Sequence, residues 1–189
     1  MDKKMKPEES IDIIGKMMSE TRKSVLRLCY VPFLTWGGTT LVVSMSVYIL
    51  LLSYNNYLIN LCWFLIPILG FILTQIFKPH GKPVKTGITV ALQSIWCMLG
   101  ILMIIFSVSA FLIEFNILFF ILLFLSIGSF VSGAVISYPF MKYSSLPGFI
   151  MSVVMLMLPY YTQIPLFAAA IAIMMIVPGY RMKQDLNIL

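Results

Sequence analysis

Between Glu20 and Asp185 the chain carries one acidic residue, Glu114, and its whole length contains one histidine, His80. Acid–base and metal chemistry need carboxylates and imidazoles within reach of one another, and here they stand far apart in sequence. There is no HExxH, no pair of aspartates inside an apolar run and no serine with a histidine partner, so the sequence predicts no enzyme. Cys29, Cys62 and Cys97 lie in or beside apolar runs without a CxxC spacing. They read as small buried hydrophobes, neither a disulfide frame nor a metal site. No cofactor is expected: no metal, haem or nucleotide. A short apolar core before a cleavage site is also missing from the charged first 28 residues, so no removable signal peptide is expected.

In place of charge the chain has apolar length. Of its 189 residues 60% are hydrophobic and only 11% charged, with a mean hydropathy of +0.99. A soluble domain of this size could not hide that much apolar surface. The formal charge of +6 suits lipid headgroups better than nucleic acid, because no domain remains to carry a nucleic-acid reading head. Membrane lipids are the expected partners, and nucleic acid is not.

Six apolar stretches stand out, at 30–53, 57–77, 87–113, 116–137, 145–161 and 164–180. A crossing helix needs roughly 17–25 apolar residues, which the first four reach comfortably and the last two barely. The expected fold is all-α: a polytopic membrane bundle of six transmembrane helices with an amphipathic cytosolic helix at the amino terminus. The expected organisation is 1–29 as that helix, 30–180 as the membrane domain and 181–189 as a cytosolic tail. All 13 Lys and Arg residues then fall on one side, and the opposite loops "SYNNY", "IEFN" and "YYTQIP" hold none. That asymmetry predicts that both termini are cytoplasmic.

The stretch "MMIVPGYRMK" (Met174 to Lys183) reads as a stop for the last helix. Pro178 cannot extend the hydrogen-bond ladder, Gly179 suits a left-handed cap, and Arg181 and Lys183 favour the negative helix end. The last hairpin, Ser144 to Tyr180, is expected to cross as two short helices, with "PYYTQIP" as its outer tip. A re-entrant dip would leave irregular backbone to be buried or wetted.

Within the spans the polar residues are small and neutral. Gly128 with Ser132, and Ser129 with Gly133, form small-xxx-small pairs in the fourth stretch, and Gly37 opens a similar row in the first. Such residues let membrane helices approach closely, so Gly37, Gly128, Ser129, Ser132 and Gly133 are candidate helix-packing positions. Thr35, Thr39 and Gln93, joined by Ser132, are the candidates for a polar path. For Gln93 an interhelical hydrogen bond is the plainer role. Pro67 and Gly70 are candidates for a kink in the second stretch.

Pro7 to Leu28 shows clean amphipathic spacing at Ile11, Ile14, Met18, Thr21, Val25 and Leu28. An interfacial helix on the bilayer is the favoured reading. A homo-oligomer or protein partner docking through residues 7–28 is the other.

The segments "ETRKS…LTWGG", "WFLIPILG", "KPVKTGI…IW", "GSFVSGA…YPF" and "YTQIPLF…VPGYRMK" resemble, in order and spacing, a family of small, uncharacterised six-span bacterial inner-membrane proteins. Where that family carries more charge, this chain has Gly87, Ser137 and Tyr138. The resemblance implies an inner-membrane location and a regulated envelope role beside helix-turn-helix regulators, and it brings no functional residues. The function expected is that of a non-catalytic membrane protein: an accessory, sensory or scaffolding component. A carrier or channel for a neutral or lipophilic solute is the alternative.

Overall fold

The structure is a computed structural model that describes residues 7–54, 56–77, 87–110, 112–113 and 115–188; for 7–24, 57 and 187–188 it describes the backbone alone. His80, Glu114 and the cations Lys78, Lys82 and Lys85 lie outside the described residues, as do the side chains of the amino-terminal stripe from Ile11 to Thr21. The fold is all-helical, with no strand among the described residues. In chain order the helices are α1 (Pro7–Tyr54), α2 (Leu65–Ile76) after a 3-10 segment (Tyr57–Phe64), α3 (Gly87–Ser109) and α4 (Ile117–Val135). They continue as α5 (Pro139–Ser144), α6 (Leu146–Met155), α7 (Tyr160–Ile171), a π segment (Ala172–Ile176) and α8 (Val177–Ile188). Five of the helical runs are long and apolar enough to cross a membrane: Val25–Tyr54, Leu58–Ile76, Gly87–Ser109, Ile117–Val135 and Tyr160–Leu186.

α1 is one helix of 48 residues, about 72 Å at 1.5 Å per residue, and it runs without a break through the expected 29/30 boundary. Pro32 lies inside it, and nearby the Thr35 hydroxyl stands within hydrogen-bond distance of the carbonyls of Val31 (2.9 Å) and Pro32 (3.2 Å). The amino-terminal segment and the first apolar stretch are thus one rod.

The second stretch changes winding just ahead of Pro67. In α-helical winding a proline ring clashes with the carbonyl four residues back, which is that of Trp63. Here the chain is wound as a 3-10 helix through Phe64, capped by the Asn56 side chain, which accepts from the Leu58 N–H at 3.0 Å. Gly70 is a notch and not a kink. A Cβ there would stand 2.9 Å from the Trp36 indole, so the ring of α1 seats directly on the backbone of α2.

α3 packs on α4. Phe106 stacks on Phe120 with ring centroids 4.7 Å apart and meets Phe124 edge-on at 5.4 Å. Such ring pairs each add roughly 0.5–1.5 kcal/mol beyond their area. α4 ends in a left-handed residue, Ser137, with φ 52°. The Tyr138 N–H reaches the Gly133 carbonyl at 2.9 Å and the Ser137 N–H that of Ala134 at 3.2 Å, which is the Schellman arrangement.

The chain then returns along α4. Lys142 lies over Gly133, Gly148 over Ser126, and the Met155 carbonyl accepts from the Asn116 amide at 3.2 Å. α5 and α6 together therefore accompany α4 from end to end, bent at Ser145 just before Pro147. The expected fifth stretch, 145–161, is a ten-residue helix, α6, that closes in tight i→i+3 turns through Leu158.

The last stretch also differs. Its helix begins at Tyr160, with Pro159 extended at the cap, so most of the expected tip "PYYTQIP" is the first turn of α7. Nor does the helix stop at Pro178–Gly179: it runs on to Ile188, so the expected tail is helical. A π turn makes that possible. The Val177 N–H bonds the Ala172 carbonyl, five residues back, and the widened turn gives the Pro178 ring room at the Met174 carbonyl. Gly179 serves packing: its Cβ would stand 3.1 Å from Leu34 and 3.2 Å from Phe33. Met182 is fully buried in the core, and α8 packs along α1. Packing on α1 outweighs the roughly 1 kcal/mol that a glycine costs inside a helix.

Candidate functional site

Three helices close on the π segment. From α1, Gly37 approaches it so closely that a Cβ would stand 3.0 Å from Met175 Cβ and 3.1 Å from Ile176. From α6, Gly148 faces Ser126 Oγ and, at 2.8 Å from an added Cβ, Met174 Sδ. From α4, Ser126 donates to the Leu122 carbonyl at 2.7 Å and lies 3.6 Å from Met174 Sδ. Two glycines and a serine let three helices close on one irregular turn, and Met174 fills what remains. π turns recur at functional sites in other proteins, which makes this the first place to look for chemistry. Its groups are a thioether, a hydroxyl and backbone, and none is an acid, a base or an activated nucleophile.

The packing candidates lie on two interfaces. Gly128 faces α3, where a Cβ would stand 2.8 Å from Leu99 and 3.1 Å from Trp96. Gly133 faces α5, where it would stand 2.5 Å from the Lys142 nitrogen. Ser132 accepts a 2.9 Å bond from Trp96 Nε1, and Ser129 Oγ is buried without a partner. The Trp96–Ser132 bond was not foreseeable from sequence. Only the similar depth of the two residues in adjacent stretches hinted at it.

The candidate polar path is not assembled at one place. Thr35 Oγ1 lies 2.8 Å from Thr74 Oγ1 between α1 and α2, and Thr74 donates on to the Gly70 carbonyl at 2.7 Å. Thr39 donates to the Thr35 carbonyl. Gln93 stands elsewhere, on the exposed side of α3. It borders a groove of about 560 Å³ whose described lining, from Val90 to Leu102, comes from α3 alone.

The two ends of the bundle differ in chemistry. One carries the described cations. There Arg181 lies 4.3 Å over the Phe140 ring, and the Tyr138 hydroxyl donates to Asp185 Oδ2 at 2.6 Å. The other carries neutral amides and phenols. Tyr160 donates to Asn60 Oδ1 at 2.7 Å and is itself hydrogen-bonded by Trp63. Gln163 donates to the Leu158 carbonyl at 2.7 Å, with its Oε1 buried and unpartnered. Among the described residues no three His, Cys, Asp or Glu side chains gather as a metal site would need.

No protein-family model, no curated protein and no solved structure matches the chain. The class that the fold itself defines is a helical bundle with five helices long and apolar enough to cross a membrane.

Proposed function

We propose that this is a non-catalytic, multi-pass protein of the bacterial inner membrane that acts as an accessory or scaffolding component. In this reading the six apolar elements cross the bilayer, with α5–α6 as the fifth crossing, and the cationic end faces the cytoplasm. One observation carries the non-catalytic part: Ser129 Oγ apart, the buried hydroxyls that have a partner are spent on their own helix carbonyls and on short bonds between helices. Thr35 with Thr74 and Trp96 with Ser132 are bonds of assembly, and they lie on different interfaces. A protein whose interior polarity is used to hold helices together exerts its effect through its surfaces.

Topology is tested with reporter fusions after Leu189 and within Asn55–Asn56, which should report opposite sides. A cysteine at the exposed Thr162, in a background without the native cysteines, should react with an impermeant thiol reagent from outside. Same-side reporters, or labelling from the cytoplasm alone, would remove the topology.

A carrier for a neutral solute is the second reading, favoured by the buried and unpartnered Ser129 Oγ and Gln163 Oε1, which offer hydrogen-bonding capacity to a guest. Purified protein in liposomes separates the two. The scaffold reading expects neutral-solute swelling at the rate of protein-free vesicles. Swelling that is accelerated, and lost in Ser129→Ala or Gln163→Leu, would establish the carrier.

A further inference from the structure

α3 has two rows of side chains with the same spacing. Leu92, Trp96, Leu99, Met103 and Phe106 alternate by four and three residues, and Trp96, Leu99 and Phe106 of this row meet α4. Val90, Ser94, Cys97, Ile101, Ile104 and Val108 alternate in the same way, displaced by two residues, or about 200° around the helix. All six of these are exposed, with Val90, Ile101, Ile104 and Val108 between 51% and 59%. A four–three alternation is the seam of helices packing with side chains seated between those of a partner, at a shallow left-handed crossing. The short Ser94 and Cys97 sit between larger neighbours, and the groove of about 560 Å³ follows that part of the seam. Such a depression is what a facing side chain enters.

We infer that the bare face of α3 is a self-association surface, on which α3 of a second copy of this chain packs about a two-fold axis along the membrane normal. The inference rests on the reading that α3 crosses the membrane.

Two features on the page favour a second copy over lipid tails alone. Gln93 flanks the seam one turn into the groove, and its exposed amide has no hydrogen-bond partner among the described residues. Hydrocarbon offers an amide nothing, and leaving one bare in it is costly. A carboxamide is both donor and acceptor, so across a two-fold axis it complements its own copy. Gly100, seven residues on along the same edge, has nothing within 4 Å of an added Cβ. Gly38 and Gly87 are open in the same way, whereas Gly37, Gly70, Gly128, Gly133, Gly148 and Gly179 each receive a neighbour from their own chain. Gly100 lacks one, and a close-packed second helix would supply it. The seam holds no charge, so parallel copies meet without repulsion.

The native Cys97 makes the test direct. With Cys29 and Cys62 replaced by alanine, membranes containing the full chain are oxidised with copper phenanthroline and run on a non-reducing gel. The expected result is a disulfide-linked dimer through Cys97. Single cysteines introduced in a Cys97→Ala background should link at Ser94, Ile101 and Ile104 and not at Met103, which lies on the row that meets α4. Val42, on α1 and 62% exposed, is the control for random collision. Gln93→Leu should weaken association about tenfold, read by energy transfer between labelled copies as vesicles are diluted with lipid. No dimer at any seam position, or linkage at Val42→Cys as strong as at Cys97, overturns the pairing. Carbonate washing keeps the two readings apart: chain retained in the membrane but not linked sinks the pairing alone, whereas chain washed off sinks the membrane reading with it.

Discussion

α2 and α3 are as apolar as the helices they surround, yet they are packed very differently. The apolar windows that end in α2 and fill α3 have mean hydropathies of 2.0 and 2.2, with 6% and 11% of their residues buried. α4 and the final helix, at 2.4 and 1.8, are 39% and 56% buried. The least apolar of the four is the most enclosed. Hydropathy therefore does not sort the helices here. Small residues do: α4 buries Ser126, Gly128, Ser129, Ser132 and Gly133, and the last helix buries Ala168, Ala170 and Gly179. Where the surroundings are as apolar as the side chains, exclusion from water drives no sorting, and close backbone approach decides which helices pair.

That contrast can be broken most sharply at its glycines. Gly133→Leu should cost about 4 kcal/mol or more, because its side chain meets the backbone of α5. Gly100→Ala on the bare edge of α3 should gain up to about 1 kcal/mol in the isolated chain from helix propensity. Thermal melts in detergent read both, and equal shifts would erase the distinction between the regions. Next in size is Met174→Ala at the π segment, expected to destabilise by about 3 kcal/mol, against a change within about 0.5 kcal/mol for Ile104→Ala in monomeric detergent-solubilised chain. A loss at Ile104 matching that at Met174 would mean that α3 is covered even there.

A smaller effect belongs to the cationic end. Tyr138→Phe removes the bond to Asp185 and should cost about 1.5 kcal/mol, with faster hydrogen exchange through the last turns of α8. Exchange unchanged from Arg181 to Leu186 would show that Met182 alone holds that segment. The smallest is a gain. Ser137→Gly relieves the left-handed φ and should stabilise by about 1 kcal/mol, seen as a small rise in melting temperature. A fall would mean that the serine hydroxyl contributes more than its backbone costs.

The apolar stretches and the small-residue row of α4 were legible in the chain because they depend on composition and on local spacing. Helix ends were harder to read. Pro178–Gly179 has the local chemistry of a stop, and only the packing of α8 on α1 at Gly179 carries the helix through it by way of a π turn. The same holds for the final hairpin, whose prolines and tyrosines suggest a loop at 159–165 while Pro159 in fact caps a helix.

Sequence alone determined that this protein is a set of long apolar helices, since segment length and composition are properties of the chain. Tertiary structure decided which helices form the centre and which are left bare. It placed Thr35 against Thr74 and Ser132 against Trp96, and it left Gln93 alone on the outer face of α3. Those pairings depend on which backbones approach closely, and apolar periodicity carries little information about that where a helix is apolar on nearly all its faces.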